Sequence, residues 1–122
     1  VKQSGGYVMY ASVMQFKFTS LSEAKIASGY ISEGLGGKIA EYDFHGLNIM
    51  LGKAGEVTVT VRFEDPKMLK KFEANSNDLV KEVSDAFACT RSKFSGVCVY
   101  NFEREAVSST IKIEGPVNMA IN

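Results

Sequence analysis

The sequence predicts an α+β sandwich with the element order β-α-β-β-α-β and one additional strand at its C-terminal end. Residues 56–64 alternate strictly between apolar and polar side chains, which is typical of a strand with one buried face in an antiparallel sheet. Directly after them, Asp65 and Pro66 form a helix start, an N-cap followed by proline at the first helical position. A length of 122 residues with 45% hydrophobic and 23% charged side chains fits one globular domain, residues 1–122.

The first strand and the first helix are predicted upstream of this pattern. Residues 7–18 carry apolar side chains on both faces, which indicates a strand that is covered on both sides. Ser20 and Glu23 have the spacing of a capping box, in which the serine hydroxyl accepts an amide hydrogen bond and the glutamate reaches back. The helix is expected to present a narrow apolar stripe and to end at glycines. The stripe consists of Leu21, Ala24, Ser28, Ile31 and Leu35, and the glycines are Gly34, Gly36 and Gly37.

A second helix and the remaining strands are predicted downstream. The two asparagines and the serine at residues 75–77 are poor helix formers and are expected to break or kink the helix that starts at Asp65. The second strand is expected to contain a bulge near Asp43 or Gly46. The predicted strands are residues 38–51, 56–64, 94–103 and, at the C-terminal end, 106–113 and 117–121; a tight turn is predicted at residues 53–55.

Two helices can cover only one face of such a sheet. The opposite face must therefore meet solvent or a partner. Tyr, Met and Phe side chains on both faces of the first strand favour a partner, and we expect this partner to be a second copy of the chain. The element order as a whole is that of a ferredoxin-like sandwich.

Over residues 7–103, the element order resembles the dimeric α+β barrel superfamily, which includes antibiotic-biosynthesis-monooxygenase-like small proteins, heme-degrading monooxygenases and the chlorite-dismutase group. The resemblance depends on this order and on residues 56–66, where an alternating strand runs directly into an acid-capped helix. It implies a dimeric α+β barrel, in which two four-stranded sheets face each other, and a pocket between sheet and helices in each subunit. The chain departs from the enzymes of this superfamily because it has no Trp and because its single histidine, His45, lies in a predicted strand.

Few side chains are candidates for a functional site. His45 is a candidate catalytic residue because an imidazole can act as general acid or base or bind heme iron; the alternative is a structural or partly exposed histidine. Arg62 is the second candidate, because it lies on the polar face of its strand and its planar guanidinium can hold a carboxylate. The alternative for Arg62 is an ion pair with Glu64 or Glu103. The predicted ligand-binding residues are Arg62, Asn48, Tyr10, Tyr100 and Met50.

Composition narrows the partners and the cellular setting. Basic and acidic side chains both number 14, and the Lys-rich second helix also carries acidic residues, so we expect no nucleic-acid partner. No apolar run reaches about 18 residues, so we expect no membrane partner. Cys89 and Cys98 lack the spacing of a zinc site and are expected to be buried thiols in a reducing, cytoplasmic setting. No cofactor is predicted.

Three functions from different classes stay open. The leading hypothesis is a homodimer that binds a small apolar molecule, with an acidic head group near Arg62. The second is a cofactor-independent monooxygenase or isomerase for an aromatic or polyketide-like substrate, in which His45, Arg62, Asn48 and a tyrosine share one cavity. The third is a structural dimerisation module. The apolar sheet and the lack of a catalytic motif favour the first hypothesis.

Overall fold

Residues 8–104 are described by a computed structural model of the chain. The elements are β1 (Tyr10–Phe18), α1 (Leu21–Gly36), β2 (Gly46–Leu51), β3 (Glu56–Phe63), α2 (Pro66–Asn75), α3 (Asn77–Ala86) and β4 (Cys89–Val97). The four strands form one antiparallel sheet in the order β2-β3-β1-β4. The predicted order is confirmed, with the second helix divided in two at the predicted break. Tyr7 and the predicted strands at 106–113 and 117–121 lie outside the described residues.

The buried core lies between the sheet and the three helices. On β1 the inward side chains are Met14, Phe16 and Phe18, and on β3 they are the alternate residues from Val57 to Phe63. Because side chains alternate along a strand, the register of the two strands places both apolar rows on one face. The helices contribute the buried residues Ala24, Ala27, Ile31, Leu35, Leu69, Phe72, Leu79 and Val83. No helix within residues 8–104 is long and apolar enough to cross a membrane.

Both predicted helix starts are confirmed, although the first differs in one detail. Ser20 Oγ accepts a hydrogen bond from the Glu23 amide at 3.1 Å. The Glu23 carboxylate, predicted to reach back, instead accepts a hydrogen bond from Thr19 Oγ1 at 2.9 Å. Asp65 Oδ1 accepts a hydrogen bond at 2.9 Å from the amide two residues further along the chain. Each cap satisfies an amide of the first helical turn that has no partner inside its helix.

The second strand is shorter than predicted, because β2 begins only at Gly46. The preceding residues form turns instead of a strand. Asp43 has a φ of 53°, the left-handed conformation that short polar side chains tolerate. On either side of it, Tyr42 and Phe44 pack into an aromatic cluster. Their apolar side chains therefore alternate with polar ones although this part of the chain is a turn and not a strand. The cluster consists of Tyr42, Phe44, Phe63 and Phe72.

The fourth strand begins and ends earlier than the predicted range of 94–103. It pairs with β1 over the full length of β1, so the ends of the two strands coincide. After the last pair, the amide of Cys98 bonds the carbonyl of Met9 at 2.8 Å. The first half of β4 is polar and largely exposed, so it lacks the apolar alternation by which strands are detected in a sequence.

Within residues 8–104, no helix covers the second face of the sheet, which we call the open face. On β1 its side chains are Ala11, Val13, Gln15 and Lys17. The first two are half-buried and the last two are exposed. The prediction of an apolar strand on both sides therefore holds only for the first half of β1.

Candidate functional site

Arg62 lies on the open face of the sheet, next to Ala11 on β1 and Gly46 on β2. Its guanidinium lies across Gly46, and a Cβ atom at position 46 would collide with Nη2. Nη1 donates a hydrogen bond to Glu103 Oε2 at 2.9 Å. The predicted alternative for Arg62, an ion pair with Glu103, is therefore confirmed. The guanidinium that was expected to bind the acidic group of a ligand is bound by a carboxylate of the same chain instead.

The other predicted ligand-binding residues divide between different parts of the fold. Asn48 and Met50 lie on the open face of β2, further along the strand. Tyr10 lies on the opposite face and packs against the core, so it is not a neighbour of the Arg62 head group. Tyr100 follows β4 and is largely exposed. The structure thus brings three of the five residues onto one face, leaves Tyr10 on the opposite face and places Tyr100 in the exposed chain beyond the end of β4.

His45 immediately precedes β2. Its Nδ1 atom lies 3.4 Å from Glu64 Oε2, and the two side chains are 35% and 49% exposed. Its backbone amide bonds the Arg62 carbonyl at 2.7 Å. His45 and Arg62 are therefore neighbours through the backbone, but their side chains contact different carboxylates. Within the described residues, the side chains required by the enzymatic hypothesis do not converge on one cavity.

A groove of about 670 Å³ lies between α3 and β4, on the helix-covered side of the sheet. Its floor is formed by Met14 and Phe16 of β1, which are 3% and 4% exposed, and by the partly buried Val80 of α3. The rim is polar and includes Asn77, Lys81, Ser84, Asp85, Arg91 and Lys93. An apolar floor with a few polar groups at the rim is the usual composition of a small-molecule site.

Two cations of the rim extend from β4 to α3. Arg91 Nη1 donates a hydrogen bond to Ser84 Oγ at 2.9 Å. Lys93 Nζ donates to Asn77 Oδ1 at 3.3 Å. Both acceptors are neutral, and none of the salt bridges in residues 8–104 includes either cation. Their positive charges are therefore available to an anionic group in the groove.

The third cation of the rim, Lys81, is already paired with a carboxylate. Lys81 Nζ bonds Asp85 Oδ2 at 2.9 Å, one helical turn further along α3. The hydrogen bond to Asp85 and its negative charge raise the pKa of Lys81 above the ordinary value of 10.5. Lys81 therefore stays charged at neutral pH but is balanced by its neighbour, which leaves Arg91 and Lys93 as the cations that can recognise an acid.

Sequence reasoning missed Arg91 and Lys93 because they precede the predicted strand 94–103. In the observed register, Arg91 pairs with Phe16 and Lys93 with Met14, the two residues of the groove floor. Strand alternation from the correct start of β4 would have placed both cations above that floor. The faces of Arg91 and Lys93 could thus have been predicted only if the start of β4, an exposed edge strand, had been placed at Cys89.

The two cysteines lie at opposite ends of β4. Both are free thiols and only partly buried, so the prediction of buried thiols is wrong. Cys89 packs against the margin of the core, whereas the Cys98 Sγ atom lies 3.3 Å from the carbonyl oxygen of Tyr100. The length of β4 separates them by far more than the roughly 7 Å between Cα atoms that a disulfide can bridge.

Comparison with known proteins identifies the fold. No family model and no curated protein matches the chain. Two crystal structures of dimeric ferredoxin-like proteins from an uncultured marine organism are similar to it. One is 16% identical, with a TM-score of 0.60 over 79% of this chain and 99% of that chain. The other is 9% identical, with a TM-score of 0.63 over 78% of this chain and 99% of that chain. The chain therefore has a ferredoxin-like α+β fold.

Proposed function

We propose that the protein is a homodimer that binds a small molecule with an apolar body and an acidic head group. The groove between α3 and β4, with its apolar floor and its two cations, is the observation that carries the proposal. The homodimer is supported by the two structurally similar proteins, which are both described as dimeric. The acidic head is assigned to Arg91 and Lys93 instead of Arg62, because Glu103 already engages the Arg62 guanidinium.

The apolar body of the ligand would pack against Met14, Phe16 and Val80. The flexible thioether of Met14 can adapt to irregular shapes. A volume of about 670 Å³ falls within the range of roughly 300–1,000 Å³ that is common for such sites. Burial contributes about 0.8 kcal/mol per CH₂ group, so a body of about eight carbons supplies several kcal/mol before the entropic cost of binding.

The acidic head would bind Arg91 and Lys93. A carboxylate or sulfonate replaces their neutral acceptors, Ser84 and Asn77, with an anionic acceptor, which adds the attraction between opposite charges to hydrogen bonds whose donors are already charged. Because β4 is largely exposed, solvent screens this attraction, and we expect each cation to contribute less than about 1 kcal/mol, as exposed ion pairs do.

A pair of fluorescent probes tests the proposal. The anionic probe is 8-anilinonaphthalene-1-sulfonate, and the neutral probe of the same shape is N-phenyl-1-naphthylamine. We expect the variant Arg91→Gln/Lys93→Gln to weaken binding of the anionic probe by about tenfold, which corresponds to about 1.4 kcal/mol. Binding of the neutral probe should change much less, because the apolar floor is intact. The measurement is a fluorescence titration at low salt.

The control is Lys53→Gln/Lys70→Gln, which removes two positive charges from exposed positions that do not line the groove. If the control weakens the anionic probe as much as the groove variant does, binding depends on net charge and the assigned site is wrong. If neither probe binds the unaltered protein saturably while sedimentation shows a dimer, a dimerisation module explains the protein better than a ligand-binding protein.

A further inference from the structure

The chain runs back towards β3 after it leaves β4. β4 lies on one side of β1, and Glu103 reaches Arg62 on β3, which lies on the other side of β1. Residues 98–104, which we call the crossing segment, therefore span the width of β1, from the edge strand β4 to the Arg62 side chain on the open face. Neighbouring strands are about 4.8 Å apart, so the crossing requires about 10 Å. Five residues span up to roughly 17 Å, which is sufficient.

The sheet is shallow in the row that contains Arg62, where the crossing segment ends. Arg62 is level with Gly46 and Ala11, and Ala11 is level with Gly96. Three of the four residues in this row have a hydrogen or a methyl group as their side chain, which leaves room for a chain above them. The ion pair between Arg62 and Glu103 holds the far end of the crossing segment.

The crossing segment exposes an unusual amount of apolar surface. Val99, Tyr100 and Phe102 are 95%, 83% and 73% exposed. The rest of the domain therefore covers little of these three side chains. On the open face itself, Phe94 and Met50 are also mostly exposed. A concentration of large apolar side chains on one side of a small domain usually marks an interaction surface.

We infer that the crossing segment is the dimer contact, and that its apolar side chains pack against the open face of a second copy. This inference rests on the proposed homodimer and names its surface. Tyr100 and Phe102 together offer about 300 Å², and the open face with Phe94 and Met50 adds to this. A stable interface needs about 800 Å² from each partner, so this surface supplies a large share of it.

A second copy fits this surface better than a different protein. In a two-fold dimer each copy presents both the crossing segment and an open face, so every contact is made twice. The formal net charge of the chain is zero, so two copies approach without net repulsion. The crossing segment itself combines apolar side chains with a carboxylate that is already paired to Arg62, so no unpaired charge enters the contact through Glu103.

Sedimentation equilibrium of the full chain and of the variant Tyr100→Ser/Phe102→Ser tests the inference. Buried aromatic residues at the centre of an interface commonly dominate its energy, so we expect the dissociation constant of the dimer to rise by at least about a hundredfold. The control is Ile26→Ser/Ile39→Ser, which removes two exposed apolar side chains from the helical side. This control should remain dimeric.

The outcomes separate the inference from the proposed function. A monomeric unaltered protein would remove the homodimer and the inference together. A dimer that persists equally in the unaltered protein and in Tyr100→Ser/Phe102→Ser would overturn the inference alone. A second measurement covers a variant that fails to fold: p-benzoylphenylalanine at position 102 should cross-link to peptides containing Phe94 or Met50 of a second copy. Cross-links confined to the same copy, or to the helical side, would contradict the contact.

Discussion

A hydrogen bond joins two helices that are far apart in the sequence. Tyr30 Oη on α1 donates to Glu82 Oε1 on α3 at 2.7 Å. This hydrogen bond, together with desolvation and the negative charge of Glu82, raises the pKa of Tyr30 above the ordinary value of 10.0. Donation requires the protonated phenol, so the contact exists only while Tyr30 is neutral.

The variant Tyr30→Phe tests this contact through the pH dependence of stability. The pKa of Tyr30 is higher in the folded than in the unfolded chain, so its stabilising contribution is fully present below pH 10.0 and is lost as the pH rises through the raised value. We expect the unaltered protein to be more stable than Tyr30→Phe between pH 7 and 9, and this difference to shrink above about pH 10. Urea denaturation across this range measures it. A difference that stays constant up to pH 11 would show that the phenol proton is not involved.

At the residue scale, the face of a side chain could be predicted only where the strand that carries it was placed correctly. Arg62 could be assigned to the open face because β3 alternates strictly, and Glu103 was one of its two predicted partners. Arg91 and Lys93 could not be assigned to a face, because the start of β4 has no apolar alternation. The prediction that Tyr10 lies beside Arg62 was wrong. Tyr10 lies on the inward face of β1, like Met14, and packs against the core.

At the element scale, the reliable predictions were those with a local chemical signal. The helix starts, the helix break at 75–77, the turn at 53–55 and the strand after it all depend on residues adjacent in sequence. The ends of β2 and β4 depend instead on which strand they pair with and on the aromatic cluster around Phe72. Such long-range contacts leave no local pattern, so both strands were displaced in the prediction.

The hairpin between β2 and β3 depends on Gly55. Its φ of +92° is a conformation that residues with a side chain rarely adopt, and a Cβ atom there would lie 3.0 Å from the carbonyl oxygen of Phe18. The carbonyl of Gly55 also accepts a hydrogen bond from the Phe18 amide at 2.9 Å. We expect Gly55→Ala to lower the free energy of unfolding by about 1–3 kcal/mol, as measured by urea denaturation.

Gly29 provides the matched control for the loss of a glycine. It lies on an exposed position of α1, and a Cβ atom there would meet nothing within 4 Å. Gly29→Ala should therefore raise the free energy of unfolding by about 0.5–1 kcal/mol, because alanine favours the helix. If Gly55→Ala also stabilised the protein, the turn would not require the left-handed conformation that the structure shows.

At the scale of the whole molecule, the sheet separates two surfaces with different chemistry. The groove of Arg91 and Lys93 lies on the helix-covered side, and the crossing segment lies on the open side. The residues of the crossing segment do not line the groove, although both surfaces begin from β4. Ligand binding and dimerisation should therefore be energetically separable, since substitutions at distant sites without shared partners usually add.

Combining the two double variants tests this separation. We expect Tyr100→Ser/Phe102→Ser to abolish the dimer but to change the affinity for 8-anilinonaphthalene-1-sulfonate at the groove by less than about twofold. Arg91→Gln/Lys93→Gln should weaken the probe by about tenfold and leave the dimer intact, and the fourfold variant should show both effects at full size. Fluorescence titration and sedimentation on the same samples measure them. If loss of the dimer alone weakened the probe tenfold, the second copy would have to complete the groove, and the site could not be the property of one subunit.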